Sequence, residues 1–399
     1  MNDKNRVRWI GRTVIGIGLA SFFSDLGHET ASAILPMFLA SIGAAPAALG
    51  IIEGVSDAVS SFVKLWAGWF SDRIAARKPM AVSGYVLTAI AKASFAFATS
   101  WWYILFGRTV AWIGRGIRGP VRDSILTDAV PAEARGRAFG FDRALDTLGA
   151  VLGPVAALWL VGFVSFRTIF LLTLIPGLFA AGVFGWIVRE RKRAEVVRQP
   201  LRLSLAGFPA LFRRYLLAVG FFGAGDFAPT LLIFYAANVF TSAGDSNPSQ
   251  EAVSLYVCYN VVYALASYPV GSLGDRLGKR NLLLSGYLLS AGVCVGFALL
   301  PSTYAMFVLL FSLAGIAIAV QDSLERALAA DLLPTRIRGT GYGALAGLNG
   351  IGDFLSSTIV GILWTAVSVR EGFLFSAILK CAGGLLLLAL VPRKPTTND

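Results

Sequence analysis

Long apolar runs that recur along the whole chain constrain the fold more than any other feature of this sequence. Of the 399 residues, 56% are hydrophobic and 15% are charged, whereas soluble domains carry about 25% charged residues. A membrane-spanning helix needs about 20 mostly apolar residues, and open sheets would leave backbone groups unpaired in lipid. We therefore predict an all-α integral membrane protein with twelve transmembrane helices. These spans lie near residues 13–40, 46–70, 80–99, 102–125, 138–162, 167–189, 211–240, 252–273, 281–300, 303–326, 339–367 and 371–391.

Basic residues lie mostly on one side of the predicted spans. The termini, the central loop and the loops after spans 2, 4, 8 and 10 hold 24 of the 35 Lys and Arg residues, whereas the opposite loops hold Arg167 and Arg370. By the positive-inside rule, both termini are expected in the cytoplasm. We predict a multi-pass protein of the cell membrane, of the bacterial inner-membrane type. The net charge of +12 is explained by the basic loops on this side of the membrane, so no nucleic-acid partner is expected.

Residues that bind metals or cofactors are scarce. His28 is the sole histidine, and Cys258, Cys294 and Cys381 lie separately in apolar runs. They form neither a CxxC pair nor a Cys/His ligand set, and the sequence contains no HExxH or GxSxG motif. We therefore predict no metal site, no cofactor and no enzymatic activity.

An internal repeat with an offset of 203 residues divides the chain into two parts. Asp72 and Asp275 lie in similar motifs at this offset. Further pairs in equivalent positions are Gly68 and Gly271, Arg73 and Arg276, Asp128 and Asp331, Arg135 and Arg338, and Gly136 and Gly339. Six spans are an even number, so both halves should have the same orientation in the membrane. We predict two pseudo-symmetric six-helix bundles at 1–189 and 214–399, joined by a basic cytoplasmic linker at 190–213.

The paired motifs resemble a known family. The segment 68–78, GWFSDRIAARK, resembles the loop 2–3 signature of the major facilitator superfamily, roughly G-x-x-x-D-R-x-G-[RK]-[RK]. The copy at 271–280, GSLGDRLGKR, fits the signature in full, whereas the first copy has Ala75 in place of the glycine. The tract 114–123, GRGIRGPVRD, resembles span 4 of bacterial efflux-type members. The resemblance implies a twelve-helix transporter that works by alternating access.

The duplicated motif can be interpreted physically as a gate. Glycine lets neighbouring helices approach closely, aspartate can face a helix N-terminus, and the basic residues can pair with acids at nearby helix ends. Such contacts would hold the cytoplasmic side closed in one state and break in the other. For Arg77 and Lys78, a basic loop that only sets topology is the alternative. The predicted gating residues are Gly68, Asp72, Arg73, Arg77, Asp128, Gly271, Asp275, Arg276, Lys279 and Arg280.

Acidic residues at membrane depth suggest a site for proton coupling, because charges there are costly and usually face a cavity. At 100° per residue, Asp25, His28 and Glu29 share one face of span 1, and Glu53 and Asp57 share one face of span 2. A carboxylate in a partly dry cavity holds a proton more readily than in water. We predict these five residues as the proton-coupling set.

A second set of charged residues suggests a substrate site. Arg108, Arg115 and Arg118 share one face of span 4 and offer donors to an anionic group. Asp226 lies near the middle of span 7, and Asp353 lies near the middle of span 11. We predict these five residues as substrate-binding. The alternative is that the intramembrane charges simply pair with one another.

Together these features predict a secondary active transporter that moves a small molecule across the membrane by alternating access. Coupling to protons, export, and an anionic or amphipathic substrate are the expected details. A transport-inactive membrane sensor or receptor on the same fold is the alternative. The expected partners are the substrate, protons and the lipid bilayer, and the chain is expected to be monomeric.

Overall fold

The computed structural model describes residues 9–44, 46–190, 200–244, 248–300 and 303–392. Within these ranges the chain is helical and contains no β-strand. In this part of the chain twelve helical spans follow one another, six on each side of the central loop, and their ends lie within six residues of the predicted positions. The predicted all-α, twelve-helix architecture is therefore confirmed.

Spans 1 to 6 form the N-terminal half. Span 1 packs on span 5, span 4 packs on spans 2 and 3, and span 6 packs on spans 1 and 3. Their bounds are Arg12–Ser41, Pro46–Ser71, Lys78–Ala93 with the 3-10 extension Ser94–Phe97, Trp101–Ala129, Arg135–Val161, and Phe166–Leu172 joined to Leu174–Ile187.

Spans 7 to 12 form the C-terminal half and repeat the same packing. Span 7 packs on span 11, span 10 packs on spans 8 and 9, and span 12 packs on spans 7 and 9. The sequence repeat is therefore also a repeat of packing. The bounds are Ala210–Gly223 joined to Pro229–Ala243, Pro248–Leu277, Lys279–Leu299, Tyr304–Leu332, Arg338–Ala366 and Val369–Leu390.

The two halves meet along two symmetry-related pairs of helices. Span 2 packs on span 11, and span 5 packs on span 8. The linker contains a short helix, Leu201–Ala206, whereas residues 191–199 lie outside the described part of the chain. The linker bounds of 190–213 therefore stay a prediction.

Only some of the spans are strongly apolar. Spans 3, 5, 6, 9, 10, 11 and 12 are long and apolar enough to cross a membrane by length and composition. Spans 1, 2 and 4 carry interior charges, span 8 carries Asn260 and several tyrosines, and span 7 is interrupted. This distribution indicates that the polar spans face protein or a cavity, since lipid does not solvate such groups.

Span 7 breaks between Gly223 and Pro229. Proline lacks a backbone N–H and is tolerated at the first turn of a helix, so Pro229 begins a new segment. Asp226 lies in the break, and the Ala228 N–H donates to Ser357 Oγ at 2.9 Å. Irregular backbone at membrane depth is tolerated where it is buried in protein or lines a cavity.

Candidate functional site

The motif aspartate of the first half lies against the beginning of a helix in the second half. Asp72 Oδ1 accepts the Gly339 N–H at 3.0 Å, and Oδ2 accepts the Thr340 N–H at 2.6 Å and its hydroxyl at 2.7 Å. Both partners lie in the first turn of span 11, where free N–H groups and the helix dipole favour a carboxylate. Asp72 therefore joins span 2 to span 11.

Asp275 makes the equivalent contact in the opposite direction. Its carboxylate accepts the N–H groups of Gly136 and Arg137, both at 2.9 Å, in the first turn of span 5. These partners lie 203 residues before those of Asp72, so the two contacts obey the pseudo-symmetry of the chain. We call the Asp72 and Asp275 contacts the two clasps, and the end of the bundle that holds them the basic face.

Glycines let the backbones meet beside each clasp. A Cβ atom on Gly68 would lie 2.2 Å from the Gly339 carbonyl oxygen, and one on Gly271 would lie 2.1 Å from that of Gly136. Real Cβ atoms essentially never approach backbone so closely. Any side chain at Gly68 or Gly271 must therefore separate the two halves at the basic face.

Ion pairs surround the clasps, again in related pairs. Asp128 accepts from Arg77 of its own half at 2.9 Å and from Arg338 of the other half. Asp331 contacts Lys279 of its own half at 2.7 Å and Arg135 of the other half at 2.5 Å. Each acid thus bridges a motif residue to the opposite half.

The remaining predicted gating residues lie apart from these bridges. Arg73 stacks over the Trp69 ring at 4.6 Å, and Arg280 donates to the Leu388 carbonyl in span 12 of its own half. Arg276 lies in the last turn of span 8. Sequence reasoning missed Glu190, which accepts the backbone N–H of Arg77 and also its Nε at 2.7 Å.

A cavity of about 720 Å³ lies at the middle of the bundle. All six spans of the C-terminal half and span 2 of the N-terminal half contribute residues to its wall. Its charged and amide groups are Asp57, Lys64, Asp226, Gln321, Asp353 and Lys380, and its aromatic groups are Phe227, Tyr259, Phe297 and Phe354. The predicted substrate residues Asp226 and Asp353 therefore lie together on this cavity.

The break in span 7 supplies an ion pair to the cavity. Lys380 Nζ lies 2.8 Å from Asp226 Oδ1 and donates to Ser290 Oγ at 2.8 Å, while Gln321 Nε2 donates to Asp226 Oδ2 at 3.1 Å. Lys380 and Gln321 had no role in the sequence prediction, because a lone polar residue in an apolar span gives no sign of its partner.

The three predicted arginines of span 4 are directed elsewhere. Arg115 lies 3.2 Å and Arg118 lies 3.7 Å from the Asp25 carboxylate, and Arg108 stacks on Trp112 at 4.4 Å. None of the three arginines is among the residues that line the 720 Å³ cavity. Arg115 and Arg118, which were predicted to bind substrate, therefore contact Asp25, which was predicted to couple protons.

The other predicted coupling residues lie near this pair. His28 is buried, and its Nε2 lies 3.6 Å from Glu29 Oε1. Trp112 Nε1 donates to Asp57. Glu53 lies in span 2, but its side chain lies outside the described part of the structure.

Comparison with known proteins agrees with this geometry. The family model described as Major Facilitator Superfamily matches residues 17–244 and 230–399. An uncharacterized MFS-type transporter of Methanocaldococcus jannaschii is 29% identical over 389 residues, which cover 97% of this chain and 96% of the relative.

Two further similarities cover most of the chain. The multidrug resistance protein MdtH of Cronobacter sakazakii is 26% identical over 312 residues, which cover 77% of this chain and 75% of that protein. The crystal structure of the E. coli fucose:proton symporter FucP superposes with a TM-score of 0.73 at 12% identity, covering 95% and 98% of the two chains. With its paired clasps and matching family model, the chain belongs to the major facilitator superfamily of membrane transporters.

Proposed function

We propose that this protein is a proton-coupled secondary transporter that works by alternating access and exports an amphipathic substrate. The pair of clasps supports this most strongly. Both clasps join the two halves at one end of their interface, and they do so through hydrogen bonds that can be released together. A contact set confined to one end of an interface suits a two-state gate.

The central cavity supports an amphipathic substrate. Its volume of about 720 Å³ falls within the range of about 300–1,000 Å³ typical of small-molecule sites. One part of the wall is aromatic, and another carries both carboxylates and ammonium groups. An anionic group on the substrate can reach Lys64 or Lys380, whereas the pairing of Arg115 and Arg118 with Asp25 gives the predicted arginine contacts less support.

Export is the direction favoured by the similarity to a protein named for multidrug resistance.

For proton coupling, Glu29 is the better candidate of the two acidic residues in span 1. Its side chain is 33% exposed, and it makes no ion pair with an arginine or lysine in the described part of the chain. Asp25 is buried against two arginines, so it has less freedom to exchange a proton with water.

The test is transport by the purified protein in liposomes. A thermal-shift screen of metabolites and drugs identifies a ligand, since a ligand stabilises the state that it binds. We expect counterflow of this ligand and accumulation driven by a pH gradient. Glu29→Gln should abolish gradient-driven accumulation and leave exchange of substrate for substrate intact, because exchange needs no net proton movement. Binding without counterflow would favour a transport-inactive receptor instead.

Neutralising a clasp should slow transport without preventing ligand binding. Asp72→Asn and Asp275→Asn each remove a charge from a helix N-terminus, and hydrogen bonds to charged groups contribute about 1.5–3 kcal/mol. Asp72 accepts two N–H groups and a hydroxyl, and Asp275 accepts two N–H groups and Arg137 Nε at 3.2 Å, so we expect both variants to slow transport. Initial rates of counterflow measure this. Wild-type rates in both variants would contradict the gating role.

The basic face should lie in the cytoplasm. Arg202 in the linker and Arg370 in the first turn of span 12 are both exposed and lie on opposite predicted sides. In a cysteine-free background, an impermeant maleimide added to intact cells should label Arg370→Cys and spare Arg202→Cys. The reverse labelling pattern would invert the topology.

A further inference from the structure

A buried lysine in the N-terminal half has an unusual set of partners. Lys92 lies near the end of span 3 and is 2% exposed. Its Nζ contacts His28 Nδ1 and donates to the His28 carbonyl oxygen at 3.0 Å. In the described part of the chain, Lys92 forms no ion pair with a carboxylate. A lysine charge buried without a carboxylate is costly, so its position calls for a role.

The contact with Lys92 defines the protonation of His28. An ammonium group only donates hydrogen bonds, so His28 Nδ1 must accept and the imidazole proton must lie on Nε2. His28 Nε2 faces Glu29 Oε1 at 3.6 Å. The imidazole therefore bridges Lys92, which is enclosed, and Glu29, which is partly exposed.

Other polar and aromatic groups near Lys92 have partners of their own, and Lys92 Nζ also lies over the Trp112 ring, 5.5 Å from its centroid. From span 4, Arg108 stacks on Trp112 and Arg115 contacts Asp25 of span 1. The Trp112 ring also contacts the His28 ring at a tilt of 32°, with the ring centroids 4.7 Å apart, and its Nε1 donates to Asp57 of span 2. From span 6, Arg167 donates to the carbonyl groups of Ala96 and Ala98. Among these groups, His28 is the one that hydrogen bonds to Lys92.

We propose that Lys92 carries a proton and that His28 passes it between Lys92 and Glu29. In the transfer, the Lys92 ammonium gives a proton to His28 Nδ1, and His28 Nε2 gives its proton to the Glu29 carboxylate. A neutral amine, a neutral imidazole protonated on Nδ1 and a protonated Glu29 result. The three groups hold the same number of protons and the same net charge before and after.

The inference rests on the proposed proton coupling and adds a storage site to it. Glu29 exchanges protons with water, whereas Lys92 holds a proton out of reach of both sides. A proton kept there can remain bound while the two halves change their arrangement. The path runs through a single imidazole, and the chain has no other histidine.

Lys92→Arg is the decisive variant. Arginine keeps the charge and the donors but is not deprotonated in proteins. The probe is the proton itself, counted by titration of purified protein between roughly pH 5 and pH 9, where an ordinary lysine stays charged. We expect Lys92→Arg to take up about one proton fewer per molecule than the wild type. Lys78→Arg, on the same helix, is the control and should match the wild type. Equal uptake by Lys92→Arg and the wild type would overturn the proposal.

A second measurement does not depend on how well the variant folds. Nitrogen-15 NMR of histidine-labelled wild-type protein, carrying a tag without histidine, reports His28 alone. We expect the Nε2–H tautomer at neutral pH. An Nδ1–H tautomer or an imidazolium at neutral pH would overturn the relay. Neither measurement involves transport. Either one can therefore contradict the Lys92 proposal while gradient-driven transport by the wild type is still observed.

Discussion

Gly271→Val and Gly68→Val should each prevent closure of the basic face and abolish most transport. The added side chain would overlap the backbone of the opposite half, at Gly136 or Gly339. Overpacking costs about 1–3 kcal/mol or more, which shifts a two-state equilibrium by roughly five- to 150-fold. The protein should therefore remain open at the basic face.

The native Cys294 reports this change, since it lies on the central cavity. With Cys258 and Cys381 replaced by serine, an impermeant thiol reagent added at the basic face should label Cys294 faster by roughly fivefold or more. Gly292→Val is a suitable control, because nothing lies within 4 Å of a Cβ at that position of span 9. Unchanged labelling in both clasp variants would show that the basic face closes by other contacts.

Asp25→Asn should be far more destabilising than Glu29→Gln, although both remove one carboxylate charge from span 1. Asp25 contacts Arg115 and Arg118, and removing one partner of a buried ion pair costs about 3–5 kcal/mol. Glu29 contacts His28 alone among the described ion-pair partners, at 3.6 Å. Unfolding each purified variant by titration with SDS, from the same starting detergent, compares their stabilities.

A rescue variant separates charge from packing in this experiment. Adding Arg118→Met to Asp25→Asn removes one of the two cations left without a carboxylate and should recover part of the lost stability. Equal stability of the Asp25 and Glu29 variants would mean that the two arginines find other partners. Glu29→Gln is accordingly the cleaner variant for testing proton coupling, since its fold should be preserved.

Much of the architecture could be predicted because lipid imposes it on the sequence. Each span needs about 20 mostly apolar residues and must satisfy its own backbone, so the long apolar runs, including those with interior charges, place the twelve helices. The repeat at an offset of 203 residues predicts the matching halves. It also pairs Asp72 with Asp275, and these two residues carry the clasps.

The partners of individual charges could not be predicted. Helical periodicity shows that Arg108, Arg115 and Arg118 share a face, but it does not show what that face meets. The structure turns the face toward Asp25 and Trp112 within the N-terminal half. The cavity is instead lined mainly by the C-terminal half, where Lys380 and Gln321 meet Asp226.

The sequence by itself determined the number of spans, their pseudo-symmetry and the residues of the duplicated motif, because these follow from helix length, repeats and local composition. Tertiary structure alone decided that Asp72 caps a helix 267 residues away and that Lys92 lies against His28. The physical reason is that lipid and protein interior are both apolar. The sequence of a membrane helix therefore shows that a polar residue needs a partner, whereas helix packing decides which partner it meets.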